Sequence, residues 1–143
     1  MTLREAYEYG QEQLKKVDIE DATVDAWYLL EYVTGITRAM YFLDMNKMLS
    51  AEEERQYCEY VATRAKHVPL QHITGVQEFM GLEFKVNRHV LCPRQDTECL
   101  VEEVMRYLHD GNRILDMCTG SGCILISLLH YSNWCEGFGV DVS

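Results

Sequence analysis

Seven residues in the second half of the chain have the types and spacing to hold a nucleoside: Asp116, the run Cys118-Thr119-Gly120-Ser121-Gly122, and Asp141. Gly120 and Gly122 permit positive φ and let a ligand approach the backbone closely. Arg113–Met117 reads as a buried strand and Cys123–His130 as a helix, so this small-residue loop leaves a strand and opens a helix. The N–H groups at such a helix start face a carboxylate or a phosphate. Asp141 ends the next strand, Gly137–Asp141, 19 residues beyond Gly122. An acid there accepts hydrogen bonds from both hydroxyls of a ribose. Asp116 reads as the residue that positions the loop.

The kind of nucleoside follows from what the loop contains. The dinucleotide fingerprint wants glycines at positions 1, 3 and 6, and those places hold Cys118, Gly120 and Cys123. A phosphate-binding P-loop needs a Gly-Lys-Ser/Thr ending, and the segment has no lysine. An acid followed by alternating glycines is the S-adenosylmethionine pattern. It matches at Asp116, Gly120 and Gly122, with Cys118 in place of the first glycine. Cysteine prefers negative φ, which sets loop strain against a shifted geometry. Taken alone, such a loop also reads as an ordinary strand–helix turn. Cys118 reads as a small loop filler rather than a redox thiol, and His67, His72 and His89 have no identifiable partner.

The elements that would position these residues begin with a helical first half. Thr2 and Glu5 form a capping box, with Leu3, Ala6, Tyr7, Leu14 and Val17 along one face. A second helix is expected over Asp21–Val33, carrying Val24, Trp27, Tyr28 and Leu30, with Gly35 as its stop. Thr37 starts a short third helix through Phe42. Ser50 and Glu53 cap a fourth that carries Tyr57, Cys58, Val61 and Ala65 and ends before Pro69. Residues 74–86 alternate as strands broken at Met80-Gly81, a β-hairpin. Thr97 is expected to cap a helix to about His109, with Leu100, Val101, Val104, Met105 and Leu108 inward. Asp110-Gly111-Asn112 is a turn. The expected organisation is a helical domain over 1–68, a β-hairpin linker over 69–93, and the first part of an α/β domain over 94–143.

Composition narrows the class. The chain has 143 residues and a net charge of −10, from 23 acidic and 13 basic side chains. The excess is even: residues 1–66 carry 13 acids and 8 bases, and residues 67–143 carry 10 and 5. No basic stripe is present, so direct nucleic-acid binding is not expected, and an acidic helical domain suits a protein partner with basic patches. No apolar run is long enough for a membrane span, and the charged start Met1-Thr2-Leu3-Arg4-Glu5 does not read as a signal peptide, so the expected location is the cytoplasm. The six cysteines form no C-x-x-C pair and are expected as reduced, mostly buried thiols, with no metal site.

In chain order, the helical segment is followed by Pro69-Leu70-Gln71-His72-Ile73-Thr74-Gly75 and by Glu78-Phe79-Met80-Gly81-Leu82-Glu83-Phe84. Then come Val90-Leu91-Cys92-Pro93-Arg94-Gln95-Asp96-Thr97-Glu98 and the Asp116–Ile124 loop. This series closely resembles the peptide chain release factor glutamine methyltransferase (HemK-type) family over essentially the whole chain. Cys118 and Gln95 depart from the family pattern, which has glycine and proline at those places. The resemblance implies an α/β fold: a helical bundle for substrate recognition, a β-hairpin, then a Rossmann-like S-adenosylmethionine-dependent methyltransferase domain. It implies methyl transfer to the glutamine of the Gly-Gly-Gln motif of class 1 release factors. Cys118, Thr119, Gly120, Ser121, Gly122 and Asp141 would hold the donor, and Arg94 and Glu98 would line the glutamine pocket.

The family's Asn-Pro-Pro-Tyr motif does not occur here, since the prolines are Pro69 and Pro93. No catalytic residue is therefore assigned within the chain. Two strands fall short of the sheet the resemblance implies. The chain is expected to be the N-terminal part of a longer protein and to lack activity alone. Two other classes remain open: a methyltransferase of the same fold acting on another protein or a nucleic-acid base, and a non-catalytic helical binding module.

Overall fold

The computed structural model describes residues 1–142. The chain divides into two compact units, Met1–Thr74 and Gly75–Ser143. The first is all helix: α1 (Leu3–Lys15), α2 (Ala22–Thr34), α3 (Arg38–Leu43), α4 (Ala51–Arg64) and α5 (Leu70–Thr74). Both expected capping boxes form. The Glu5 N–H donates to Thr2 Oγ1 at 3.2 Å, and the Thr2 N–H donates to Glu5 Oε2 at 2.7 Å. Ser50 and Glu53 repeat the exchange at the same distances. Gly35 ends α2 in the left-handed region, φ +65°, and its N–H donates to the Glu31 carbonyl at 2.7 Å. An isolated bridge joins Thr2 to Met48, tying the segment after α3 to the start of α1.

The core of this unit is built from Leu3, Ala6, Leu14, Leu29, Leu30 and Tyr57 with their neighbours. Gly10 is where α1 meets α4, because a Cβ there would fall on the Tyr57 hydroxyl. That hydroxyl donates to the Ala26 carbonyl at 3.2 Å, which satisfies a phenol buried to 0% exposure. Helix α2 turns Trp27 and Leu30 into this core. Val24 and Tyr28 are exposed, while Leu29 and Asp25 are buried. Asp25 turns inward because Arg64 meets it, Nε to Oδ2 at 2.6 Å.

The second unit comprises β1 (Val76–Phe79), β2 (Leu82–Lys85), α6 (Gln95–Met105), β3 (Arg113–Met117), α7 (Cys123–Tyr131) and β4 (Glu136–Val140). Strands β1 and β2 pair antiparallel around Met80 (φ +52°) and Gly81 (φ +71°), the two left-handed residues of a tight hairpin turn. The hairpin packs into this unit: Phe79 and Phe84 share a core with Val101, Cys123 and Leu128. The first unit, in turn, runs past residue 68 through α5.

Strands β3 and β4 are parallel neighbours, with Asp116 opposite Gly139 and Met117 opposite Val140. α7 covers one face. A Cβ on Gly137 would stand 2.7 Å from the Cδ1 atoms of Leu125 and Leu129, so a larger residue there would push these leucine side chains aside. The reading of β3 as a buried strand is corrected. Leu115 and Met117, with Phe138 and Val140 beside them, are exposed on the other face. Helix α6 also starts earlier than expected. Arg94, not Thr97, is its N-cap, because the Thr97 N–H already closes the first turn onto the Arg94 carbonyl at 3.0 Å. The helix ends at Met105 rather than near His109, and Leu100 faces outward. All six cysteines are free, but only Cys92 and Cys123 are buried.

Candidate functional site

Loop and downstream acid meet at the C-terminal ends of β3 and β4. The Thr119 hydroxyl donates to Asp116 Oδ2 at 2.7 Å, fixing the loop to the strand it leaves. The Thr119 N–H donates to the Val140 carbonyl at 3.0 Å, fixing it to the neighbouring strand. Gly139 makes this possible, since a Cβ there would lie 3.0 Å from Thr119 Oγ1. The Gly120 N–H donates to Asp141 Oδ2 and the Val142 N–H to Asp141 Oδ1, both at 2.8 Å. The Gly122 N–H returns to the Thr119 carbonyl at 2.8 Å, and Gly122 is the N-cap of α7 with no side chain capping it. Residues 116–122 and Asp141 thus form one hydrogen-bonded cluster.

Three loop residues are left-handed: Cys118 (φ +62°), Gly120 (+55°) and Gly122 (+77°). The conflict over Cys118 is resolved as strain with the loop geometry kept. Thr119 is held on both sides, and the chain pays about 1 kcal/mol for a β-carbon in the left-handed region. The Cys118 side chain is exposed, so it does not act as a filler. Around Gly120 no atom lies within 4 Å of a Cβ position, which leaves its backbone open to a ligand. Asp141 faces the loop with both oxygens engaged, Oδ2 by the Gly120 N–H and Oδ1 by the Val142 N–H. Ser121 is partly buried between the two glycines.

Arg94 and Glu98 stand elsewhere, at the start of α6. Glu98 Oε1 accepts the Met80 N–H at 2.7 Å, and the Met80 carbonyl accepts the Tyr131 hydroxyl at 2.6 Å. Side chains from α6 and α7 therefore hold both polar groups of one hairpin-turn residue. Arg94 is the N-cap of α6, and the Glu98 carboxylate is engaged by the hairpin turn rather than by the loop. Sequence reasoning missed Gly139 and Tyr131. The alternating glycines of Glu136-Gly137-Phe138-Gly139 were the available signal, marking the strand face that a helix and a loop must approach. Among the described residues no helix is long and apolar enough to cross a membrane, and no cluster of His, Cys, Asp or Glu is arranged to hold a metal ion.

Residues 5–75 match the family model of the PrmC N-terminal domain. The chain is 37% identical to the release factor glutamine methyltransferase of Geobacter sulfurreducens, with 99% of this chain and 50% of that protein aligned. Identity to the Clostridium acetobutylicum protein of the same name is 38%, over 100% of this chain and 51% of the relative. For the Leptospira interrogans protein it is 39%, over 83% and 43%. Over its whole length the chain is similar to release factor glutamine methyltransferases. It spans about half the length of the curated relatives it matches. The two units are consistent with an N-terminal helical domain and the start of a methyltransferase fold.

Proposed function

We propose that this chain is the N-terminal half of a protein-(glutamine-N5) methyltransferase. Its helical domain recognises the protein substrate, and the cluster at the ends of β3 and β4 holds S-adenosylmethionine. The substrate is the glutamine of the Gly-Gly-Gln motif of class 1 release factors. The observation that carries this reading is the convergence of the glycine loop and Asp141, joined by the 2.8 Å bond from Gly120, in a chain homologous to enzymes of that name.

When bound, the donor supplies an electrophilic methyl group. The residues of this chain bind and orient it. Asp141 would accept hydrogen bonds from the ribose hydroxyls, and the bare backbone of Gly120 would allow the donor to lie against the loop. The N–H groups opening α7 face the donor's carboxylate. Asp116 and Thr119 keep the loop in register. An amide nitrogen is a poor nucleophile because its lone pair is delocalised, so alignment and exclusion of water provide the acceleration. In the family that the sequence resembles, the acceptors that hold the amide N–H groups come from an Asn-Pro-Pro-Tyr motif, which these 143 residues do not contain. Arg94 and Glu98 lie at the approach to the glutamine pocket. The compartment is the cytoplasm, where release factors work.

The test uses two chains, the present 143 residues and the same chain extended to the length of its relatives. The extended chain is expected to transfer labelled methyl to a release factor, and the 143-residue chain is expected to transfer none. In the extended chain, Asp141→Asn should weaken donor binding about tenfold by calorimetry and Gly120→Val should abolish it. Full turnover by the short chain, or unchanged affinity in both variants, would overturn the reading.

A further inference from the structure

A cavity of about 490 Å³ opens on the helical unit between α1, α2 and α3. Its lining is aromatic: Trp27 and Tyr41 meet edge-on at 5.4 Å, Tyr7 meets both at 5.9 and 5.8 Å, and Phe42, 67% exposed, continues the wall outward. Two arginines flank it. The Arg38 guanidinium lies 4.6 Å from the centre of the Trp27 ring, and Arg4 reaches only the Met45 sulfur, at 3.8 Å. Arg55, Arg64, Arg106 and Arg113 all meet carboxylates. Among the described residues no salt bridge engages Arg4 or Arg38, although the chain carries 23 acids.

We propose that this cavity docks a peptide segment of a protein partner. One aliphatic side chain of the segment enters the aromatic pocket, and flanking carboxylates pair with Arg4 and Arg38. A guanidinium stacked on an indole keeps its N–H edge free for two-point contact with a carboxylate. The volume suits a side chain or two rather than a folded element. The exposed Phe42 extends the apolar surface past the rim, which a small acid would leave unused. Glu8, the acid among the lining residues, does not neutralise both arginines. The rim therefore has the opposite preference to the chain as a whole, whose net charge of −10 favours basic partners. The inference concerns the helical unit and does not rest on the donor site.

The test titrates the ¹⁵N-labelled chain with acetyl-Asp-Leu-Glu amide at low salt. A saturable shift of the Trp27 indole N–H resonance is expected, weakening about fivefold in the Arg4→Gln/Arg38→Gln variant and weakening with added salt. Acetyl-Lys-Leu-Lys amide and N-acetylaspartate should give no saturable shift at Trp27. The proposal is overturned by no response to the acidic peptide, by an equal response to the lysine peptide, or by unchanged affinity in the variant. N-acetylaspartate binding as tightly as the peptide would also overturn it, marking a small-acid site. Both replaced residues are exposed, and far-UV circular dichroism checks that the helices persist. If they do not, the control peptides and the salt series on the unaltered chain decide.

Discussion

Cys118 is where a single side chain works against its backbone. At φ +62° its β-carbon crowds the following carbonyl, a cost that glycine does not bear. Cys118→Gly is therefore expected to raise the unfolding free energy by about 1 kcal/mol in urea titrations, and Cys118→Val to lower it by about 2 kcal/mol. An unmoved midpoint in the glycine variant would show that the loop stores no strain there. The capping glutamates act in the opposite sense. Hydrogen bonds with Thr2 hold the Glu5 carboxyl below its usual value of 4.5, and those with Ser50 do the same for Glu53. A depressed native value means that the unfolded chain binds protons more readily, so this stabilisation is present at neutral pH. It is lost as pH falls from about 4.5 through the lower native values. Thermal midpoints measured from pH 6 to pH 3 should fall less steeply in Glu5→Gln/Glu53→Gln than in the unaltered chain.

At the scale of elements, the hairpin turn depends on two helices. Glu98→Ala should leave the Met80 N–H without its acceptor, cost about 1 kcal/mol, and speed exchange of that amide about fivefold. Glu98→Gln, which keeps an accepting oxygen, should restore most of the protection. Protection unchanged by the alanine variant would remove the clamp. Such contacts mark the limit of what the sequence disclosed. Capping boxes and the Gly35 stop were legible because their partners lie within four residues, and the turn at Met80-Gly81 because alternation breaks there. The Asp25–Arg64 pair was not, since its partners are 39 positions apart and an acid on an apolar helix reads as an outward residue. Leu100 looked inward beside Val101 and Val104 yet is exposed, because periodicity does not fix which of several apolar stripes meets a neighbour. The donor loop was legible because glycines and acids signal it locally, whereas its ties through Thr119 to Val140 and past Gly139 depend on strand register.

For the whole molecule, the two units differ in how much they bury. The helical unit gathers 14 buried apolar residues into one core, the second unit only 5. The second also leaves Leu115 (62%), Met117 (66%) and Phe138 (50%) exposed on one sheet face. Native-state hydrogen exchange should find amides of α1, α2 and α4 protected at least about tenfold more than those of β3 and β4. A hydrophobic dye should brighten on the chain, and replacing Leu115 and Phe138 with threonine should dim it. Equal protection in both units would contradict this ranking. The hairpin turn adds a constraint of timing. Its Met80 is made early, yet the hydroxyl that grips its carbonyl sits 51 positions later, on Tyr131. During synthesis the first unit can finish folding while the turn waits, open to water, until Tyr131 has left the ribosome.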